Sequence, residues 1–241
     1  MENGAYLSAI RDGSRALLQA ARLDLDAPVP SCPGWRVADL VGHAGGTWGW
    51  AAAIVRTGAR ADYPGVPEDC HGDQLLAWAE ERSHQVLDAL EGCDPSSNCW
   101  TFGLPRTPVF WFRRQALESA VHAWDAQRAV DGPEPIDPVL ASDGIDEFLT
   151  VMVPRQIKAH AEDWSGQSFH FHCTDVEGEW MVQLGPEGSV SVDRAHGKAD
   201  AAIRGPASPV YLWCLNRVPA QDVEVIGDGA LAERWTKEIV F

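Results

Sequence analysis

The sequence predicts an all-α domain followed by a small α+β domain. Through the first two-thirds, apolar residues recur with the three-to-four-residue spacing of amphipathic helices. After Trp164, short segments alternate apolar and polar residues between glycine-containing or acidic turns, as strands do. This change of period predicts two domains, a helical bundle over 1–163 and an α+β domain over 164–241.

Five helices are predicted in the first domain. Each has an apolar stripe, and segments such as "DAPVPSCPGW" and "DGPEP" interrupt the pattern with turn residues. The predicted helices cover 5–23, 36–58, 73–91, 106–131 and 143–162. Long helices joined by loops are typical of an antiparallel bundle, so we expect the first four to pack together.

The second domain is predicted to mix strands with two helices. Its strand-like segments are "SFHFHCTD", "EWMVQLG", "SVSVDR", "ADAAIRG" and "DVEVIG", and its helix-like segments are "PASPVYLWCLNRV" and "GALAERWTKEI". This mixture of strand-like and helix-like segments predicts a small α+β domain.

Composition and charge narrow the classes of partner. The 241 residues contain 35 acidic side chains against 19 Lys and Arg, a formal charge of −16, which disfavours nucleic acids and anionic membranes. No apolar run approaches the roughly 18 residues of a membrane span. The six cysteines form no CxxC pair, and the N-terminal segment does not resemble a signal peptide. We expect a soluble cytoplasmic protein, a monomer or small homo-oligomer, with small-molecule partners.

One helical segment, "RRQALESAVHAWDAQRA" (113–129), carries a candidate metal site. Glu118 and His122 are four residues apart, which places them on one helix face about 5–6 Å apart. A third ligand must come from another helix, and His43 in "DLVGHAGGTWGW" is the candidate. Two imidazoles and a carboxylate leave a position open, as in catalytic zinc sites, and also suit other divalent metals. The alternative is that Glu118 and His122 form only a weak side-chain pair on a solvent-exposed helix face.

Three further side chains have competing interpretations. Asp125, one turn beyond His122, either orients that imidazole or is a surface acid beside Arg128. His170 and His172 share one face of a predicted strand and could bind a metal, but the expectation is that both lie in solvent while the neighbouring phenylalanines fill the core.

Three stretches of the sequence resemble a known family. "VPSCPGWRVADLVGHAGGTWGW" (29–50), together with 113–129, resembles the mycothiol-dependent maleylpyruvate isomerase family, and "ADAAIRGPASPVYLWCLNRV" resembles the C-terminal domain of that family. The resemblance implies a DinB-like four-helix bundle that holds a divalent metal, usually zinc, followed by a small α+β domain similar to sterol carrier proteins.

The resemblance also implies roles for particular residues. His43, Glu118 and His122 match the metal ligands of the family. Arg217, in "WCLNR", matches an arginine that takes part in catalysis by holding the thiol cofactor or the substrate. An exposed arginine at a helix end is the alternative for this position. Among Arg106, Arg113 and Arg114, the sequence does not select the one that would bind substrate carboxylates.

The implied function is that of a metal-dependent enzyme using mycothiol, a low-molecular-weight thiol of actinobacteria. A free thiol has a pKa of about 8.5, so a cation that stabilises the thiolate would activate it at neutral pH. The activated thiol would add to a small electrophile or be transferred onto it, which makes the protein an isomerase or an S-transferase. The alternative is a non-catalytic small-ligand-binding or regulatory protein with the same fold.

Overall fold

The computed structural model describes residues 1–157 and 164–239 and contains two compact units, Met1–Glu134 and Pro135–Phe241. The first unit is all-α, and the second combines helices with one sheet. The predicted fold class, an all-α bundle followed by a small α+β domain, is therefore confirmed. Among the described residues, no helix is both long enough and apolar enough to cross a membrane.

Four long helices build the first unit. They are α1 (Asn3–Ala21), α2 (Val37–Thr57), α3 (Asp73–Glu91) and α4 (Val109–Val130). Helix α1 packs against α4 and α3, and α2 packs against α3 and α4. The first four predicted helices are thus confirmed, with ends that differ by at most a few residues from the sequence pattern.

Small residues let these helices approach closely. A Cβ added at Gly13 of α1 would lie 2.8 Å from the backbone carbon of Ser119 in α4, closer than ordinary van der Waals contact. In α2, a Cβ at Gly45 would overlap the Trp78 ring of α3. The glycines of "GHAGG" therefore serve close packing of α2 against α3 and against the loop that contains Tyr63.

The second unit begins with a helical segment and continues into a mixed sheet. Its elements are α5 (Pro138–Glu147), a π-helical turn (Phe148–Met152), α6 (Val153–Gln156), β1 (Ser168–Cys173), β2 (Glu179–Leu184), β3 (Val190–Asp193), β4 (Ala201–Gly205), α7 (Ala207–Cys214), β5 (Glu224–Gly227) and α8 (Gly229–Glu238). The five strands lie in the order β3-β2-β1-β4-β5. Among the strand pairs of the described residues, only β1–β4 is parallel.

The fifth predicted helix differs from the structure at its beginning. It starts at Pro138 and not at 143, because the Asp137 carboxylate accepts hydrogen bonds from the backbone N–H groups of Val139 and Leu140. An N-cap of this kind, followed by proline at the first helical position, is a strong helix start. The predicted end near 162 lies outside the described residues.

This helix also belongs to a different compact unit than expected. Helix α5 packs against α7, and at Gly144 the Tyr211 ring lies so close that any added Cβ would overlap it. The compact units accordingly divide between Glu134 and Pro135, earlier than the predicted domains 1–163 and 164–241. The predicted boundary itself falls beside residues 158–163, which the structure does not describe.

One face of the sheet is covered by an aromatic core. Phe169 and Phe171 of β1 are fully buried, as the alternation of "SFHFHC" predicts. The Trp235 ring of α8 lies over them, with centroids 4.5 Å from Phe169 and 5.6 Å from Phe171. The alternate residues of β1, His170 and His172, consequently occupy the opposite face.

The close approach of α1 and α4 generates a stability prediction. We expect Gly13→Ala to lower the free energy of unfolding by about 1–3 kcal/mol, because overpacking against the α4 backbone outweighs the helix propensity of alanine. Gly4→Ala is the matched control, since a Cβ at this exposed helical glycine meets nothing within 4 Å. Urea titrations followed by circular dichroism measure both; equal stability of the two variants would contradict the prediction.

Candidate metal centre

Helices α2 and α4 bring together the three residues predicted as metal ligands. His43 comes from α2, and Glu118 and His122 come from consecutive turns of α4. One ligand atom from each side chain lies within 4.8 Å of the other two. His122 is buried and the other two are partly exposed, so the cluster is shielded on the bundle side and open on the other.

The rings and the carboxylate are arranged around a common point. The His43 and His122 rings stand edge to face, with centroids 5.0 Å apart and an interplanar angle of 86°. His122 Nε2 lies 3.0 Å from Glu118 Oε2. The Trp35 ring lies 5.2 Å from the His43 ring and limits its orientations. Two imidazoles and a carboxylate in this arrangement form a donor set that suits a divalent first-row metal.

Asp125 orients His122 from the side away from the cluster. Its Oδ2 lies 3.1 Å from His122 Nδ1, which leaves Nε2 directed at Glu118. The Ser31 hydroxyl donates to Asp125 Oδ1 at 2.5 Å, and the Cys32 thiol donates to Oδ2 at 3.9 Å. The carboxylate is completely buried, so the alternative of a surface acid beside Arg128 is wrong. At metal sites a carboxylate commonly accepts the second ring N–H of a ligating histidine and so fixes its tautomer and orientation.

Arg114 supports the carboxylate of the cluster. Its guanidinium lies 3.3 Å from Glu118 Oε1, one turn earlier on α4, while Oε2 lies toward His122. Burial alone would raise the pKa of Glu118, but the charge of Arg114 and the contact with His122 outweigh it and hold that pKa well below its ordinary value. Glu118 is therefore present as a carboxylate, the form that binds cations.

The histidine beside Glu118 is perturbed in the opposite direction. Burial would lower the pKa of His122, yet its hydrogen bonds to Asp125 and Glu118 and their charges raise it. Two carboxylates, Glu118 and Asp125, thus share the His122 imidazole. A positive charge at this point, whether a proton or a metal cation, is electrostatically favoured.

A buried hydrogen bond ties the two ligand-bearing helices together beside the cluster. Trp48 of α2 is fully buried, and its indole N–H donates to the hydroxyl of Ser119 on α4 at 3.0 Å. Ser119 follows Glu118 directly in the chain. Because both partners are buried, the bond fixes the relative register of α2 and α4 at the level of the site.

Sequence reasoning missed Ser31 and Tyr63. The Tyr63 hydroxyl donates to the backbone carbonyl of His43 at 3.0 Å. Burial, together with the charge of Glu118, raises the pKa of Tyr63 to about 12, so it remains a neutral donor. Both residues lie in loops, where neither hydrophobic period nor spacing indicates which side chains are neighbours. Only the unusual composition of the "PSCPGW" turn, which contains Ser31, could have drawn attention to this loop.

The arginines predicted as candidates occupy different environments. Arg114 is buried and contacts Glu118, whereas Arg106 is exposed in the loop before α4. Arg217, in the second unit, follows α7 and is half-buried; its N–H donates to the Leu212 carbonyl at 2.8 Å and its guanidinium to the Leu215 carbonyl at 2.8 Å. Arg217 therefore lies at the end of α7 and is partly exposed, and both interpretations of this residue stay open.

Comparison with known families accounts for both units. Residues 7–127 match the model of the mycothiol maleylpyruvate isomerase N-terminal domain, and residues 139–234 match that of the C-terminal domain of the same enzymes. The chain belongs to the mycothiol maleylpyruvate isomerase family. The resemblance inferred from the sequence motifs is confirmed. The division between the compact units falls in the gap between the two matched segments. No curated protein gives a significant match to the chain.

Solved structures of the family have the same fold. The crystal structure of a mycothiol-dependent maleylpyruvate isomerase matches with a TM-score of 0.64 at 13% identity, over 93% of both chains. A histidine-to-alanine mutant of such an isomerase matches with a TM-score of 0.62 at 12% identity, again over 93% of both chains. The match to a ubiquinone synthesis protein covers 42% of this chain and 94% of that protein's chain, with a TM-score of 0.33 and 17% identity.

The position of Asp125 behind His122 leads to a prediction about metal affinity. We expect Asp125→Asn to weaken zinc binding at the bundle by about 10–100-fold, because the imidazole loses the charged acceptor that orients Nε2 and raises its basicity. Asp88→Asn, at an exposed position of α3, is the control. Competition titration with a chromophoric chelator measures both affinities; unchanged affinity in Asp125→Asn would show that His122 needs no such support.

Proposed function

We propose that this protein is a metal-dependent, mycothiol-dependent enzyme that activates the thiol for reaction with a small electrophile, in the cytoplasm. The observation that supports the proposal is the convergence of His43, Glu118 and His122 within 4.8 Å, in a chain that belongs to the mycothiol maleylpyruvate isomerase family. Two reaction types are included: isomerisation by reversible addition, and S-transfer.

The donor set fits a divalent cation, with zinc as the expected ion. Two imidazoles and one carboxylate supply neutral nitrogen and charged oxygen ligands, which zinc prefers, and they leave a fourth position for a substrate atom. His122 presents Nε2 because Asp125 occupies Nδ1, and Glu118 is held as a carboxylate by Arg114. When bound there, the cation would act as a Lewis acid that lowers the pKa of a thiol ligand toward neutral pH.

The side chains around the cluster position the reactants. Asp125, Ser31 and Trp48 hold the α2 and α4 side chains in place through buried or half-buried hydrogen bonds. Such prior positioning lowers the entropic cost of bringing a thiol and an electrophile together. Tyr63 adds a neutral hydroxyl whose high pKa prevents it from competing as an anion.

The two proposed reactions share their first bond. In both, the thiol sulfur, after losing its proton, forms a bond to an electrophilic carbon. In isomerisation that carbon belongs to a C=C bond conjugated to a carbonyl group. The π electron pair moves to the carbonyl oxygen and the former double bond rotates; the pair then returns as the carbon–sulfur bond breaks, which restores the double bond. In S-transfer a leaving group departs with the electron pair and the carbon–sulfur bond remains. Since no protein nucleophile is consumed, one set of residues serves either outcome.

The metal assignment is tested by metal content and turnover in matched variants. We expect His122→Ala and His43→Ala each to lose one equivalent of tightly bound zinc and at least 10²-fold of mycothiol-dependent activity, while the helical content is kept, because catalytic metal sites depend on each ligand. Mass spectrometry of the purified proteins measures the metal. Maleylpyruvate isomerisation and conjugation of an electrophilic haloarene measure the activity.

His84→Ala is the control for this experiment, because His84 is an exposed histidine on α3 outside the cluster. Retention of the bundle zinc in His122→Ala would refute the ligand assignment. If His122→Ala loses its zinc but the wild type shows no thiol-dependent turnover, the result would instead favour a ligand-binding or regulatory protein with this fold.

Arg217 is proposed to hold the thiol cofactor or the substrate during catalysis. We expect Arg217→Ala to raise the KM for mycothiol about tenfold or more and to leave the zinc content unchanged, since a lost charged contact to a ligand typically costs 1.5–3 kcal/mol or about 10–100-fold. Arg204→Ala, which removes an exposed arginine paired with Glu224, is the control. A loss of zinc from Arg217→Ala would indicate a structural role.

A further inference from the structure

A second cluster of histidines surrounds a carboxylate on the sheet of the second unit. It consists of His170 and His172 of β1, Glu179 of β2, and His196, which follows β3. One ligand atom from each of the four lies within 4.8 Å of the others. These residues are separate from the bundle cluster and belong to the other compact unit.

The register of the sheet builds this cluster. His172 and Glu179 are directly opposite each other in the antiparallel β1–β2 pair, and His170 is two residues from His172 on the same face. The phenylalanines of β1 occupy the other face. The chain leaving β3 returns across this surface, and His196 reaches the same carboxylate. Four side chains from three segments thus converge through ordinary strand geometry.

All three imidazoles contact a single oxygen atom. Glu179 Oε1 lies 3.0 Å from His170 Nε2, 2.8 Å from His172 Nδ1 and 2.6 Å from His196 Nδ1. Without a cation, three nitrogens share this one oxygen. A cation between the nitrogens and the carboxylate would give each of the four groups its own coordination bond. Three neutral nitrogens and one carboxylate oxygen are a complete tetrahedral ligand set for zinc.

The ring separations agree with common coordination. The His170 centroid lies 5.4 Å from that of His196 and 6.0 Å from that of His172. Imidazoles bound tetrahedrally to one zinc through bonds of about 2.0–2.1 Å have centroids roughly 5 Å apart, so small rotations of the side chains suffice to close the site.

The environment of the ligands favours their metal-binding forms. The His170 side chain is only 8% exposed, which corrects the expectation that both strand histidines lie in solvent. Burial lowers the pKa of His170 despite the neighbouring Glu179, and neutral imidazole is the ligand form. Hydrogen bonds from His196 and His172 lower the pKa of Glu179 to about 2, so it stays a carboxylate.

We infer that His170, His172, Glu179 and His196 form a second binding site for a divalent first-row transition metal, of which zinc is the best match. The site is at the surface: the His196 side chain is 80% exposed, whereas Glu179 and His172 are about one-third exposed or less. A metal there would join β1, β2 and the segment after β3. This inference does not depend on the proposed function, because it involves no residue of the bundle cluster.

Zinc titration of the full chain tests the second site. We expect isothermal titration of metal-free protein with zinc to show two equivalents in wild type and in the His84→Ala control. One equivalent should remain in His122→Ala, and one in the double variant with His172→Ala and His196→Ala. Cobalt substitution adds a spectroscopic signature, because tetrahedral cobalt absorbs strongly in the visible range; His122→Ala should keep that absorption, and the double variant combined with His122→Ala should lose it.

The single variant His196→Ala guards against a trivial loss of structure, since its side chain lies in solvent. We expect it to weaken the sheet-site affinity at least tenfold with no change in the circular dichroism spectrum. Equal zinc stoichiometry and affinity in the wild type, the double variant and His196→Ala would overturn the second site. If only the bundle cluster fails to bind zinc, the result is different. The wild type would then bind one equivalent, and the double variant with His172→Ala and His196→Ala would bind none.

Discussion

The buried carboxylate of Asp125 is the constraint on which the bundle centre depends. It is fully excluded from solvent, and contacts that include those with His122, Ser31 and Cys32 satisfy its charge. An unpaired buried carboxylate would cost several kcal/mol, so these partners cannot move away without a large penalty. His122 is thereby locked with Nε2 toward Glu118, and the loop before α2 is fixed to α4. The orientation of His122 within the cluster therefore depends on this buried charge.

The helical part of the fold could be predicted because its period is regular. Four bundle helices and the one-face placement of Glu118 with His122 follow from spacing alone, and their outcomes agree with the structure. The fifth helix shows the limit of periodicity: an apolar stripe tells which face is buried but not what buries it. Its partner is α7, distant in sequence, through the close approach of Gly144 to Tyr211.

The candidate site could be predicted only where regular elements carry it. His43, Glu118 and His122 occupy helices, so period and resemblance together selected them. Ser31 and Tyr63 come from loops, whose paths depend on contacts that no local pattern encodes. For Asp125 the spacing allowed two roles, and only the packing of the loop over α4 decides between them. The proposed role of Arg217 in the second unit rests on the resemblance alone.

The two histidine clusters differ in how their scaffolds present ligands. On α4, residues four apart meet on one face, and a ligand from another helix completes the set. On the sheet, residues two apart share a face and a cross-strand partner stands opposite, so β1 and β2 alone supply His170, His172 and Glu179. The expectation of solvated strand histidines failed because it treated β1 in isolation. A neighbouring strand and the segment after β3 cover that face. The alternation of β1 cannot reveal Glu179, which lies on β2. Both imidazoles contact its carboxylate, so the three side chains converge.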